Sequence, residues 1–469
     1  MRSKTLYLAA LVVAVGLVFW APPFSPPTEA AAGNGAADLA RMGPYAIGHT
    51  NVMLYDTSRP GGRDGFPEFA TTGRPIPVSI WYPVDPSTVA GKNSNAEYPL
   101  DVLYGIAPPS TSADWEAYGI DPAFEGPAPS KAKPFPLVIV SPGWGAWNWI
   151  HSSIGTRLAS HGFVVAVPYH FGDQAWPWEP PYDSLAEASY NRPIDVSFAL
   201  TDLLRRNSTR GDLFYGVMKP DQIAAAGWSL GGYASMVLAG GDDSVCDLIP
   251  NEDWALETPP WTCVPAKPDP RIKAIVPLDG SNQLLHFSEL ARVKVPAMGM
   301  GEEWDMLALD PPFVSWQARQ HAAFSGKPAY RVDLYGSIHQ TFSDFCEAGH
   351  LFIDLPVDPG FGDWILSTFC GPEYIASPLA HQLTNKYMLA FLKTHLAGER
   401  GYQDMLTPGW AVSKEQVIEF FVTEKRNPNS VDEDWPGLFV YFPHQSGSVQ
   451  ARGPKDGKTM PVARVGVVR

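Results

Sequence analysis

The sequence predicts an α/β fold, a mostly parallel sheet flanked by helices. Strand-like and helix-like segments alternate from about Pro134 onward, the order that builds such a sheet. The strand-like runs, Leu137-Val138-Ile139-Val140 among them, are apolar without alternation, as suits strands covered on both faces. Finally, Gly227-Trp228-Ser229-Leu230-Gly231 joins an apolar strand-like stretch, Ile223 to Ala226, to a helix-like one, Gly232 to Leu238.

The elements follow in chain order. Arg2 and Lys4, an apolar run from Leu6 to Trp20 and Ala30-Ala31-Ala32 read as an export signal over 1–32, with an uncleaved N-terminal anchor as the alternative. Either reading takes the body out of the cytoplasm, to a secreted or periplasmic location. Residues 33–43 read as a small, polar linker, and 44–398 as one elaborated α/β domain. Pro75 to Pro83 alternates like a strand with one buried face. Beyond Leu137 to Val140 come a helix from about Ile150 to Ser160, a strand from Phe163 to Val167 and a helix from Val196 to Arg205. After the Ser229 turn, strands are expected at Ala274 to Leu278, Val295 to Met300 and Tyr330 to Leu334.

Two stretches, roughly 240–270 and 346–375, interrupt this rhythm, and each holds two cysteines. Of the three possible connectivities, local pairs are the natural reading: Cys246 with Cys263 and Cys346 with Cys370, stapling surface insertions near the mouth of the site. The absence of close Cys-x-x-Cys spacing argues against zinc. Residues 399–469 read as a Gly-rich, polar C-terminal extension. The formal net charge of −15 argues against a nucleic-acid partner and disfavours tight adhesion to anionic membranes.

The chemistry centres on Ser229. Small residues around it let the chain turn sharply from strand to helix, lifting the hydroxyl clear above the positive helix end. A serine nucleophile needs a base, and the base an orienting acid, in the order Ser, acid, His. His339 is the base candidate, in a small-residue turn just after a late strand. Asp279, at the end of the strand following the elbow, is the first choice of acid; Glu302, Glu303 and Asp305, after the next strand, are rivals. Two amides must converge on the developing oxyanion. These are those of Leu230, next to the nucleophile, and of Trp144 in Ser141-Pro142-Gly143-Trp144-Gly145. Trp147, Trp149 and Trp228 are candidates for the substrate pocket. Trp147 and Trp149, with Trp144, Trp176 and Trp178, suggest an apolar wall for an acyl chain or a peripheral contact with a lipid surface, core packing being the alternative.

These residues sit in segments that resemble the platelet-activating factor acetylhydrolase family of secreted, calcium-independent phospholipase A2 enzymes, within the α/β-hydrolase superfamily. The resemblance runs through Pro136 to Ser141, Gly143-Trp144-Gly145-Ala146, Leu158 to Phe163, Gly231-Gly232, Leu278-Asp279, Gly336 to Phe345 and Asn385 to Leu392. It implies Ser229 as nucleophile, Asp279 as acid, His339 as base, and ester hydrolysis through an acyl-enzyme without metal or organic cofactor. The implied substrates are phospholipids with a short or oxidised acyl chain at the middle glycerol position. Pro142 and Trp228 stand where the family usually has histidines, and Gly280-Ser281 where an aromatic is common in the animal enzymes. A general carboxylesterase or polyester hydrolase is the rival within the same chemistry. A catalytically inactive binding protein on the same scaffold is the rival outside it.

Overall fold

The computed structural model describes residues 38–59, 72–99, 109–173, 183–249, 258–302, 316–353, 360–415, 417–423 and 465–468. The export segment, Trp176, Trp178, Glu303 and Asp305 lie outside them. Eleven strands make the main sheet: β1 (Ala46–Asp56), β2 (Arg74–Val84), β3 (Ala123–Glu125), β4 (Phe135–Ser141), β5 (Val164–Pro168), β6 (Met218–Trp228), β7 (Ile272–Leu278), β8 (Ala297–Glu302), β9 (Ala329–Leu334), β10 (Ile418–Thr423) and β11 (Val465–Val468). Their spatial order is β11-β10-β9-β8-β7-β6-β4-β5-β2-β1-β3. Six neighbours, β5, β4, β6, β7, β8 and β9, run parallel.

Helices cover both faces of that block. The seven that bear on the site are α1 (Ser152–Ser160), α2 (Leu185–Ser208), α3 (Leu230–Gly240), α4 (Trp316–Ala323), α5 (Phe345–Phe352), α6 (Phe361–Phe369) and α7 (Ser377–His395). All of β4, β5 and β9, and all of β7 but Lys273, is buried, which is why their sequences lack alternation. β2 differs from the one-faced strand that its pattern predicts. All eleven of its residues are buried, because α1 packs on one face and α2 on the other.

α2 begins eleven residues before the point that the sequence suggests. Ser184 and Glu187 form a capping box, and Pro193 sits inside the helix. The buried face of this first half carries Asn191, Arg192 and Asp195, so no apolar periodicity marks it. The sheet also continues past residue 398. β10 pairs antiparallel with β9, and its Ile418, Phe420 and Val422 join the core.

The chain leaves β4 for β5 on one side and, after α2, returns to place β6 on the other. That reversal opens a crevice beyond the carboxyl ends of β4 and β6, the usual ligand position of such sheets. Both disulfides pair locally, Cys246 with Cys263 and Cys346 with Cys370, and no free cysteine remains. The second staples α5 to the end of α6, just after the His339 turn.

Candidate active site

The register of the central strands assembles the site. Ser141 lies opposite Gly227, and Trp228 opposite Leu278. The 141–145 loop, Ser229 and Asp279 therefore leave three adjacent parallel strands at one level. Ser229 has φ 57° and ψ −123°, and Asp279 has φ 43°; they are the only described non-glycine residues with positive φ. Such backbone costs roughly 1–3 kcal/mol per residue and persists only where the surroundings impose it. Here the Ser229 N–H donates to the Leu278 carbonyl at 3.0 Å, the Ser281 N–H donates to the Ser229 carbonyl at 3.0 Å, and the Asp279 N–H donates to the Met300 carbonyl at 2.6 Å. A Cβ on Gly231 would overlap the Ser141 carbonyl oxygen, so only glycine lets the elbow sit this close to β4.

His339 comes back over the elbow on the turn after β9, and its Nδ1–H donates to Asp279 Oδ2 at 2.5 Å. Asp279 is buried, while Ser229 and His339 are half-buried. No hydrogen bond joins the Ser229 hydroxyl to His339 among the described residues, a looseness common without bound substrate. Trp228 fixes the turn: its Nε1–H donates to the His339 carbonyl at 2.7 Å, and its ring lies 5.2 Å from the imidazole. Trp228, a pocket candidate in the sequence, is thus buried against the His339 turn.

The other oxygen of Asp279 ends a hydrogen-bond chain that no sequence pattern announces. Arg319 Nη1 donates to Asn282 Oδ1 at 3.1 Å, and Asn282 Nδ2 donates to Gln320 Oε1 at 3.4 Å. Gln320 Nε2 then donates to Gln317 Oε1, and Gln317 Nε2 donates to Asp279 Oδ1 at 3.0 Å. Every member is buried. A guanidinium only donates and a carboxylate only accepts, so the two ends alone set the orientation of the three amides between them. The trace of this chain in the sequence is Gly299 and Gly301. A Cβ at either position would collide with Gln320 or Gln317, so these strand glycines make room for the amides.

The Leu230 amide opens α3, and the Trp144 amide has no partner among the described residues. Beneath the oxyanion loop lies a second Ser-His-Asp series. The Ser141 hydroxyl is 2.9 Å from His170 Nε2, and His170 Nδ1 is 3.0 Å from Asp195 Oδ2. Its distances suit a triad, but Ser141 is 2% and His170 1% exposed. Arg192 also donates to the Ser141 hydroxyl at 3.3 Å, so no substrate carbonyl reaches it. Burial and desolvation hold the His170 imidazole neutral, down to about 4. Access and elbow geometry, not distances, single out Ser229.

The other predicted residues fall differently. Trp147 and Trp149 are core residues, stacked on each other at 4.7 Å and packed on Phe352, with Trp115 against Trp149. Their burial leaves no indole face for a lipid surface. Glu302 ends β8 and is buried, but it is not the carboxylate that meets His339. One described cluster brings metal-donor groups within 4.8 Å of one another: Asp344, Glu347 and His381. They have structural partners already. Asp344 Oδ2 accepts the Ser153 N–H at 2.9 Å, capping α1, and Glu347 Oε1 accepts the Ser377 hydroxyl at 2.6 Å. No described helix is long and apolar enough to cross a membrane.

A parallel sheet that delivers a positive-φ serine, an aspartate and a histidine to one edge defines a protein of α/β-hydrolase fold. A ferulic acid esterase from Streptomyces cinnamoneus shares this fold with a TM-score of 0.51, at 21% identity over 76% of this chain and 92% of its own. Residues 120–178 match the family model of platelet-activating factor acetylhydrolase, isoform II. The chain is 30% identical to the platelet-activating factor acetylhydrolase of Cavia porcellus over 155 residues, which is 32% of each protein. It is 26% identical to that of Bos taurus over 313 residues, 59% of this chain and 61% of the relative. The chain is thus similar to platelet-activating factor acetylhydrolases over part of its length, and it spans less than two thirds of the length of the curated relatives it matches.

Proposed function

We propose that this protein is an exported serine ester hydrolase working through an acyl-enzyme, with short-acyl or oxidised phospholipids as its substrates. The observation that carries the reading is the pair of strained residues, Ser229 and Asp279, on register-paired strand ends with His339 hydrogen-bonded to the acid. Such strain is kept where function demands it.

Ser229 Oγ attacks the ester carbonyl carbon while its proton passes to His339 Nε2, and the carbonyl π electrons move onto oxygen. The Leu230 and Trp144 amides donate to that oxyanion. One such donor is worth about 3–4 kcal/mol of barrier. Collapse restores the carbonyl and breaks the bond to the alcohol, which leaves with the proton from His339. Water, deprotonated by the same imidazole, then attacks the acyl-enzyme, and the proton returns to Ser229 as the carboxylic acid leaves. Asp279 keeps the imidazole in the Nδ1–H tautomer and balances the imidazolium charge. The relatives' names support the phospholipid substrate, and the two disulfides fit an oxidising compartment.

The test is hydrolysis of a short-chain middle-position phospholipid beside a simple aryl ester, by the wild type and Ser229→Ala. Phospholipid turnover that disappears in the variant is expected. Turnover of the aryl ester alone removes the phospholipid assignment, and activity persisting in Ser229→Ala removes Ser229 as nucleophile.

A further inference from the structure

We propose that Arg192, paired with Asp173, is the positioning residue of the oxyanion hole. The inference rests on the ester-hydrolase reading above. Arg192 projects from the first half of α2 into the fold and is wholly buried. Its Nη2 donates to the Gly143 carbonyl at 2.7 Å, its Nη1 to the Pro142 carbonyl, and its Nε to Asp173 Oδ2. Asp173, equally buried, accepts the Gly145 N–H on Oδ1 at 2.8 Å. One guanidinium and one carboxylate thus hold the loop at Pro142, Gly143 and Gly145.

The consequence follows from peptide geometry. In a trans peptide the carbonyl and the N–H point in opposite directions. Drawing the Gly143 carbonyl onto Arg192 turns the Trp144 N–H the other way, and that amide has no partner among the described residues. Asp173 meanwhile takes up the Gly145 amide, leaving Trp144 as the donor presented on the elbow side. The loop's close approach to the elbow fits this. A Cβ on Gly143 would sit 2.6 Å from the Trp228 ring, and one on Gly231 would lie 2.7 Å from the Pro142 carbonyl oxygen. Glycine at 143 and 145 allows the loop to adopt other orientations, so the direction of its amides must come from outside it.

Why an arginine is used here is also clear. Three donors in a planar fork reach two carbonyls and a carboxylate together, which the single ammonium of lysine cannot do. Burial pushes the guanidinium pKa down and the Asp173 carboxyl up, and each charge counters that push on the other. Arg192 touches no reacting atom, so its contribution passes through the Trp144 amide.

The experiment compares Arg192→Lys with the wild type and Ser229→Ala on the same aryl ester. The expected result for Arg192→Lys is a fall in kcat of about a hundredfold, the low end for losing one oxyanion donor, with KM changed less than about threefold. Affinity for a trifluoromethyl ketone analogue of the ester should fall in parallel, because that adduct carries the oxyanion; a merely structural role would not couple the two. A folded Arg192→Lys with kcat and ketone affinity within about threefold of wild type overturns the proposal. Should Arg192→Lys not fold, the isosteric Asp173→Asn takes its place with the same readouts and the same criterion. Ser229→Ala separates the two levels: if it stays active, the hydrolase reading fails first, whereas an inactive Ser229→Ala beside an undiminished Arg192→Lys overturns the clamp alone.

Discussion

Replacing Asp279 with asparagine exchanges one oxygen of the site for an NH2 group, and the neighbouring amide chain dictates which way round the new side chain sits. Gln317 Nε2 faces Oδ1 as a donor, and Gln317 cannot turn round because its own Oε1 is taken by Gln320, whose orientation is set in turn through Asn282 by Arg319. The introduced asparagine must therefore present its oxygen to Gln317 and its NH2 to His339 Nδ1. That nitrogen becomes an acceptor and the imidazole proton moves to Nε2, the atom that has to receive the serine proton. A base locked in the wrong tautomer costs about 10⁴ in kcat, or about 5 kcal/mol of barrier. Steady-state kinetics on an aryl ester measure it. Adding Gln317→Leu to Asp279→Asn removes the donor that imposes the orientation and should restore activity at least about tenfold over the single variant. Retention of about a tenth of wild-type kcat by Asp279→Asn would refute the assignment of the acid, and absence of recovery in the double variant would refute the directional chain.

Further expectations are independent of that chain. Glu302→Gln should cost far less activity than Asp279→Asn, and the reverse order would move the acid to β8. Gly231→Ala should lower both stability and turnover, because the added methyl overlaps the Ser141 carbonyl and overpacking of this kind costs about 1–3 kcal/mol; unchanged thermal unfolding and kinetics would contradict the packing described. Reducing both disulfides should remove about 3 kcal/mol for each closed loop, given sequence separations of 17 and 24, read as a lowered denaturation midpoint under reductant; an unchanged midpoint would count against it. His161 and His170 are each held neutral down to about 4 by burial. Their folded pKa lies below the unfolded value of about 6.5, so their contribution is complete above that pH and is lost as pH falls towards 4, on the order of 3 kcal/mol per group. Asp344, raised to about 7 by burial, acts oppositely, its contribution being lost as pH rises from about 4 to 7. Denaturant unfolding at about pH 7.5 and about pH 5 should show a net loss on acidification that shrinks in His161→Gln; equal stability at both values would refute this balance.

The sequence by itself determined the sheet, the elbow and the candidates to be set around Ser229, because each depends on local rules. Unbroken Val and Ile runs mark strands buried on both faces, and a serine between small residues at a strand-to-helix junction marks the turn. Asp279 and His339 stand just beyond strand ends, where position along the chain predicts position at the sheet edge. Cysteine pairs close in sequence were readable for the same reason. Only the tertiary structure decided which carboxylate meets His339, because Asp279 and Glu302 have equivalent sequence settings and differ in which strand neighbours β6. It also decided that Trp147 and Trp149 are core rather than pocket wall, since an aromatic in a loop carries no sign of what covers it. The polar networks behind the site, from Arg319 to Asp279 and from Arg192 to the oxyanion loop, join residues tens of positions apart through hydrogen bonds that leave no period in the chain. Their partners become neighbours only when α2 and α4 pack against the sheet.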